Sequence, residues 1–163
     1  MNFKISCLLF FRDSSDRILL IKRNRTPNLG CWSPPGGKLE MSKGESPFEC
    51  AKREALEEVE LTLSDSDLNL FGYVSEKSYE GDSHWLMFLF DCALALNYLP
   101  KSIDEGRFKF FSRAEIEKLP IPPSDHQLVW PYYDKRKEGF WGLRADCSSN
   151  DVNLVVEAKP PQT

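Results

Sequence analysis

The chain has 163 residues with 41% hydrophobic and 28% charged side chains, a length and composition that predict one soluble, folded domain. Its net charge of -4 and the lack of a basic stripe argue against a nucleic-acid duplex as a partner. The apolar run Ile5–Phe11 is too short to span a bilayer, so we expect no membrane partner either.

Cysteine usage points to a cytoplasmic protein. The count of five is odd and no C-x-x-C pair occurs, which is typical of reduced thiols and not of a disulfide framework or a zinc site.

The first half of the chain predicts strands followed by one helix. The apolar runs Phe3–Phe11 and Arg17–Arg23 form a hairpin across the polar turn Asp13–Asp16. The Pro/Gly-rich loop Asn24–Gly37 comes next, and Ser46–Glu60 is predicted to be a helix.

The second half predicts further strands and then helices. The predicted strands are Leu68–Tyr79, His84–Leu96 and Arg107–Phe111, and the predicted helices are Ser112–Lys118 and Ser124–Lys137. This order favours an α+β fold, an α/β/α sandwich with a mixed sheet flanked by helices. We expect a single domain over residues 1–145 and a polar, loosely ordered tail over 146–163, with a short strand at Val152–Val156.

The helix after the loop has a clear start. Ser46 suits the N-cap, Pro47 the first helical position and Glu49 the third, which together make a capping box.

This start places three glutamates, Glu54, Glu57 and Glu58, on one stripe of the helix. A solvated acidic face is the commoner explanation of such a stripe. However, like charges at these spacings repel by about 0.2–0.5 kcal/mol per pair. A hard cation such as Mg²⁺ or Mn²⁺ would stabilise them. The preceding Gly36-Gly37 would let backbone approach that metal closely.

These residues resemble the Nudix box, G-x5-E-x7-R-E-U-x-E-E-x-G-U with U apolar. Glu45 and Arg53 have the required spacing, the run R-E-A-L-E-E matches in full, and Trp32–Gly37 is similar to the MutT sequence. Two departures occur. Seven residues, not five, separate Gly37 from Glu45, so we expect an outward bulge at residues 41–43. Glu60 replaces the family glycine, so we expect a different or longer helix end.

The resemblance implies a metal site and its chemistry. Glu57 and Glu58 would bind Mg²⁺ or Mn²⁺ together with the Gly37 carbonyl, and Glu54 would be a further ligand or the base for the attacking water. The implied reaction is metal-dependent cleavage of a phosphoanhydride bond in a nucleoside diphosphate linked to another moiety. The open substrates include nucleoside triphosphates, oxidised or not, nucleotide sugars such as ADP-ribose, and dinucleoside polyphosphates.

The resemblance also implies supporting residues. Arg53 would orient a glutamate, and Glu45 would hold Arg53 or a metal-bound water. Relatives add an acid from a later loop, for which Asp104 and Glu105 are the candidates, although a solvated turn explains them equally well.

Substrate contacts and alternative functions stay open at this point. Trp32 and Trp85 are candidates to stack on a base, and Arg23 to bind phosphate, by their expected positions near the cleft. The aromatic and basic segment Trp130–Trp141 either packs on the sheet or forms the face of a homodimer. A nucleotide-binding module without hydrolysis, or an interaction protein with an acidic helix, are the alternative functions.

Overall fold

A computed structural model describes residues 2–162 and shows a mixed sheet of nine strands flanked by helices. The strands are β1 Asn2–Arg12, β2 Ile18–Arg23, β3 Trp32–Ser33, β4 Gly36–Lys38, β5 Leu68–Glu80, β6 Ser83–Ala95, β7 Gly106–Phe111, β8 Trp141–Asp146 and β9 Asn153–Ala158. The helices are α1 Pro47–Val59, α2 Arg113–Ile116, α3 Asp125–Leu128 and α4 Trp130–Asp134. The predicted α+β class is confirmed. None of the helices in the described part of the chain has the length and hydropathy of a membrane span.

The sheet is mixed because it contains both parallel and antiparallel strand pairs. Its strand order is β3-β2-β1-β6-β5-β8-β9, with β4 added to β1 and β7 to β2. Strand β1 runs parallel to β6, and β5 runs parallel to β8, whereas β5 and β6 form an antiparallel hairpin.

Both faces of the sheet are buried, and β1 shows this by alternation. Cys7, Leu9 and Phe11 lie in the core beneath α1, and Phe10 lies in a second core that α3 and α4 cover. The helices therefore pack on both sides of one sheet, as an α/β/α sandwich requires.

Helix α1 begins as predicted. The Ser46 hydroxyl accepts a hydrogen bond from the Glu49 amide at 3.1 Å, and Pro47 is the first helical residue. Ala51, Ala55 and Val59 are fully or almost fully buried against β1, so the small side chains hold the helix close to the sheet.

The two departures from the signature have different outcomes. The predicted outward bulge is confirmed, because residues 41–43 form an exposed 3₁₀ turn closed by Gly44 in the left-handed conformation. The expectation of a different helix end is wrong. Glu60 itself adopts the left-handed cap conformation (φ +56°), and its amide donates to the Ala55 and Leu56 carbonyls.

The structure also corrects the C-terminal half. The predicted helix Ser124–Lys137 is broken into α3 and α4, since Pro131 has no amide hydrogen to continue it. Strand β8 was not predicted, and it extends the sheet beside β5. Within the expected tail, β9 pairs with β8 over the segment where a short strand was predicted. The domain boundary at residue 145 stays a prediction. Trp130 and Tyr133 pack in the core, the first of the two alternatives for their segment.

We predict that Glu60→Gly stabilises the protein. A non-glycine residue in the left-handed conformation costs about 1–2 kcal/mol, and glycine removes most of that strain. Urea unfolding should show a gain of about 1 kcal/mol in the free energy of unfolding. The control Glu60→Ala removes the same charge but keeps Cβ, so it should show no such gain. Equal effects of the two substitutions would contradict the strain argument.

Candidate active site

A cavity of about 540 Å³ lies against the sheet. Residues of β1, β4, β5, β6, α1 and α3 line it, together with the loop between β2 and β3. Its size is that of a small-molecule site.

Two glycines of β4 allow close packing against β1 and α1 at one end of this cavity. A Cβ atom at Gly36 would overlap the Cys7 carbonyl, and one at Gly37 would overlap the Glu54 carboxylate. The Cys50 thiol of α1 lies 3.6 Å from the Gly37 carbonyl oxygen, to which it donates a weak hydrogen bond. Gly36 therefore lets β4 lie close against β1, and Gly37 leaves room for the Glu54 side chain of α1 beside β4.

Glu54 and Glu58 line the cavity at this end. Burial raises the pKa of Glu58 to about 9, and the charges of Glu54 and Glu105 add to the effect. The Gly36 amide donates to Glu58 at 3.2 Å and opposes it only in part. Burial also raises the pKa of Glu54, against the influence of Arg53. These carboxylates lack a sufficient positive partner, which is the condition that a hard cation relieves.

Glu57 behaves differently from its two neighbours. Its carboxylate accepts from Arg53 at 3.2 Å, its side chain is 56% exposed, and it does not line the cavity. Within residues 2–162, no three acids, histidines or cysteines are gathered closely enough to hold a metal by themselves. Of the sequence-predicted metal set, the structure thus brings together Glu54, Glu58 and the Gly37 backbone.

Arg53 is the centre of an ion-pair network that joins α1 to the loop before it. Its guanidinium contacts both oxygens of Glu45, at 2.7 and 2.8 Å, and donates to Glu54 at 2.9 Å and to the Lys38 carbonyl at 3.0 Å. The hydrogen bonds from Arg53 lower the pKa of the buried Glu45 carboxyl to about 2. The longer loop therefore leaves the Glu45–Arg53 pair intact.

The other predicted residues divide between the cavity and the surface. Arg23, Trp85 and Glu105 line the cavity, and Glu105 also lies 3.6 Å from the Arg25 guanidinium. Asp104 is exposed and does not line it. Of the two candidates for the later acid, the structure therefore brings only Glu105 to the site.

Trp32 needs a correction. It does not line the cavity but is buried in the core, where its ring meets Phe111 edge-on at 4.8 Å between centroids. Its place on β3 turns the ring towards the sheet interior, so it is not available to stack on a base.

Two acidic residues that the sequence interpretation missed line the same cavity. Burial raises the pKa of Glu76 to about 7, and burial together with the Glu76 charge raises the pKa of Asp125 to about 8. The alternation along β5 could have identified Glu76. It lies two residues after the buried Val74, so its side chain lies on the same inward face of the strand. Asp125 follows a proline-rich turn, where it looked like a helix cap.

Comparison with known proteins identifies the family. The glutamate-bearing helix held against a glycine strand over a small-molecule cavity defines an enzyme site. The Nudix domain model matches residues 3–130, so the chain belongs to the Nudix family and is a Nudix hydrolase. The ADP-ribose pyrophosphatase of Methanocaldococcus jannaschii is 29% identical over 127 residues, which are 78% of this chain and 71% of that protein.

Solved structures share the fold at lower identity. The MutT protein from Bacillus halodurans superposes with a TM-score of 0.74 at 23% identity, over 96% of this chain and 99% of its own. The Nudix domain of Shewanella oneidensis NrtR, complexed with ADP ribose, superposes with a TM-score of 0.64 at 17% identity, over 84% and 88% of the two chains.

We predict that Asp125 makes the protein less stable as the pH rises. The unfolded chain loses the Asp125 proton near pH 4 and the folded chain near pH 8, so the free energy of unfolding should fall across that window. In urea unfolding with a metal chelator, Asp125→Asn should remove about 1 kcal/mol or more of this fall. Asp151→Asn, an exposed control, should follow the wild type. An unchanged pH profile in Asp125→Asn would contradict the assignment.

We predict strong coupling between Glu45 and Arg53. A double-mutant cycle with alanine at both positions should give a coupling of about 1–3 kcal/mol in the free energy of unfolding, because the pair is bidentate and shielded. The exposed pair Arg144–Glu157 is the control and should give at most about 1 kcal/mol. Similar values for both pairs would show that the Arg53 network does not fasten the loop to α1.

Proposed function

We propose that this Nudix hydrolase cleaves the phosphoanhydride bond of a nucleoside diphosphate linked to another moiety, with Mg²⁺ or Mn²⁺ as cofactor. The observation that supports it best is the pair of buried Glu54 and half-buried Glu58, which lie beside the Gly36–Gly37 backbone in a cavity of small-molecule size. Clustered carboxylate oxygens are the donors that these cations prefer.

The proposed metal ligands are Glu54, Glu58, Glu57 and the Gly37 carbonyl. Glu57 belongs to the set because it lies one helical turn from Glu54 and its side chain is free of core packing. A bound cation would neutralise the diphosphate and lower the pKa of a water molecule that attacks phosphorus.

The chain's own side chains supply the remaining functions. Arg53 positions Glu54 and fastens the loop through Glu45. Arg23, Arg25 and Lys38 line the cavity and are the proposed contacts for substrate phosphates. Glu54 and Glu105, which both line the cavity, are the proposed candidates to accept the proton of the attacking water. The products would be a nucleoside monophosphate and pyrophosphate or another phosphorylated group.

The substrate class is supported by the relatives. One is called an ADP-ribose pyrophosphatase, and the NrtR domain was crystallised with ADP ribose. We therefore propose a free nucleotide as the substrate and not a nucleic-acid duplex. The five cysteines are all free, which supports the proposed cytoplasmic location.

We predict that Glu58→Gln weakens metal binding and slows hydrolysis. Purified wild type with Mg²⁺ or Mn²⁺ should hydrolyse at least one member of a panel of nucleoside triphosphates, nucleotide sugars and dinucleoside polyphosphates. Glu58→Gln should lower kcat/KM by about 100-fold or more and weaken Mn²⁺ binding in calorimetry. Glu49→Gln makes the same change on the same helix outside the cavity and should match the wild type in both measurements.

The same assay distinguishes the alternatives. A wild type that binds a nucleotide but returns it unchanged would be a binding module, and the hydrolase proposal would fall. Comparison of Glu54→Gln with Glu105→Gln separates the two roles, because a variant of the base should lose kcat while it keeps Mn²⁺ binding, whereas a variant of a metal ligand should lose both.

A further inference from the structure

Strand β5 is irregular where it borders the cavity. Regular pairing of β5 with β6 stops after Glu76 and resumes at Glu80. The three residues between them lie opposite a single residue of β6, His84. Ser78, in the middle of the three, adopts the left-handed conformation (φ +54°), which is strained for a residue other than glycine. This part of β5 is therefore a bulge that the rest of the fold must hold in place.

The bulge turns Tyr79 towards the cavity. Tyr79 follows Glu76 by three residues, and in a regular strand the two side chains would lie on opposite faces of the sheet. Both of them nevertheless line the cavity. The irregular backbone at Ser78 thus brings Tyr79 to the same side as Glu76.

The side chain of His84 holds the bulge from the β6 side. Its Nδ1 nitrogen accepts a hydrogen bond from the Ser78 amide at 2.9 Å, in place of the backbone partner that a regular strand would offer. On the other edge of β5, the Lys77 carbonyl accepts from the Cys147 amide at 2.9 Å. His84 is half-buried and does not line the cavity, so its effect on a bound ligand would be indirect.

Tyr79 in turn holds the loop between β2 and β3. Its hydroxyl accepts from the Asn28 amide nitrogen at 2.8 Å and lies 3.2 Å from the Asn28 amide oxygen. Within the described chain, this pair makes the only hydrogen bonds that join residues 25–30 to anything outside residues 23–31. The loop also has one ion pair with the rest of the domain, Arg25 with Glu105 at 3.6 Å. The tip of the loop is therefore hydrogen-bonded to the sheet through one tyrosine.

We propose that His84 is a positioning residue that holds the β2–β3 loop closed over the cavity. It acts through the bulge at Ser78 and the Tyr79–Asn28 pair. Without the imidazole, the Ser78 amide would lose its partner and the strained backbone would relax, so Tyr79 would no longer be aimed at the loop. The inference rests on the proposed function, because the loop carries Arg25, one of the proposed phosphate contacts.

The first test is tryptic cleavage of the folded protein without metal or substrate. Cleavage after Arg25 reports opening of the loop, and cleavage after Lys137, in an exposed turn, is the internal control. His84→Phe keeps a ring beside Phe3 but has no acceptor, so cleavage after Arg25 should be about 5-fold faster or more. His84→Asn keeps an acceptor on a short side chain and should restore the wild-type rate. Cleavage after Lys137 should not change in either variant.

The second test asks whether His84 and Tyr79 act in one chain of contacts. Tyr79→Phe removes the hydroxyl that Asn28 contacts and should speed cleavage after Arg25 by a factor similar to that of His84→Phe. In the double variant the two factors should not multiply, because both changes break the same contact. Tyr98→Phe removes a hydroxyl that is bonded to a backbone carbonyl and does not line this cavity, and it should behave like the wild type.

The third test is the division between KM and kcat. With a nucleotide that the wild type hydrolyses, His84→Phe should raise KM about 5-fold and keep kcat within about 2-fold, because the glutamates of α1 are unchanged. A lower kcat with an unchanged KM would overturn the proposal. The cleavage tests need no hydrolysis, so a failure of the proposed function would not affect them.

Two cleavage results would also overturn the proposal. One is a wild-type rate of cleavage after Arg25 in His84→Phe, once a thermal melt shows that the variant is folded. His84→Leu makes the same loss without the ring, and one folded variant of the two is enough. The other result is a double variant in which the factors of His84→Phe and Tyr79→Phe multiply, since the two residues would then act independently.

Discussion

The close approach of helix α1 to the backbone of strand β4 is the constraint on which the rest of the site depends. Gly37 leaves room for the Glu54 carboxylate of α1, and Gly36 lets β4 lie against the Cys7 carbonyl of β1. Arg53 then fastens the helix to the Lys38 carbonyl and to Glu45. As a result Glu54 and Glu58 of α1 face a cavity, where their charges are costly for folding.

The cavity concentrates negative charge that the fold does not neutralise. Burial holds the pKa of Glu58, Glu76 and Asp125 well above the usual carboxyl range, whereas Arg53 holds the pKa of Glu45 far below it. Glu45 is thus a structural acid with a permanent partner. The other three have no cationic side chain hydrogen-bonded to them among the described residues, so their negative charge is not neutralised by the fold.

The cavity depends on elements that are far apart in the chain. Helix α1 packs on one face of the sheet, α3 on the other, and β4 and β5 with their neighbours connect the two. The cavity is therefore lined from both faces of the sheet. The second half of the chain thus contributes residues to the cavity, although the signature motif lies wholly in the first half.

The sequence alone determined the parts of the site that are local. Ser46, Pro47 and Glu49 define the start of α1 through contacts within one turn, and the helical repeat then places Glu54 and Glu58 on a common stripe. Only the tertiary structure decided which acids meet in the cavity. Glu76, Asp125 and Glu105 line the same cavity through strand pairing and helix packing, and Trp32 turns into the core for the same reason. Local conformational preferences depend on neighbouring residues and can be read from the sequence. Contacts between residues far apart in the sequence depend on how the whole sheet folds.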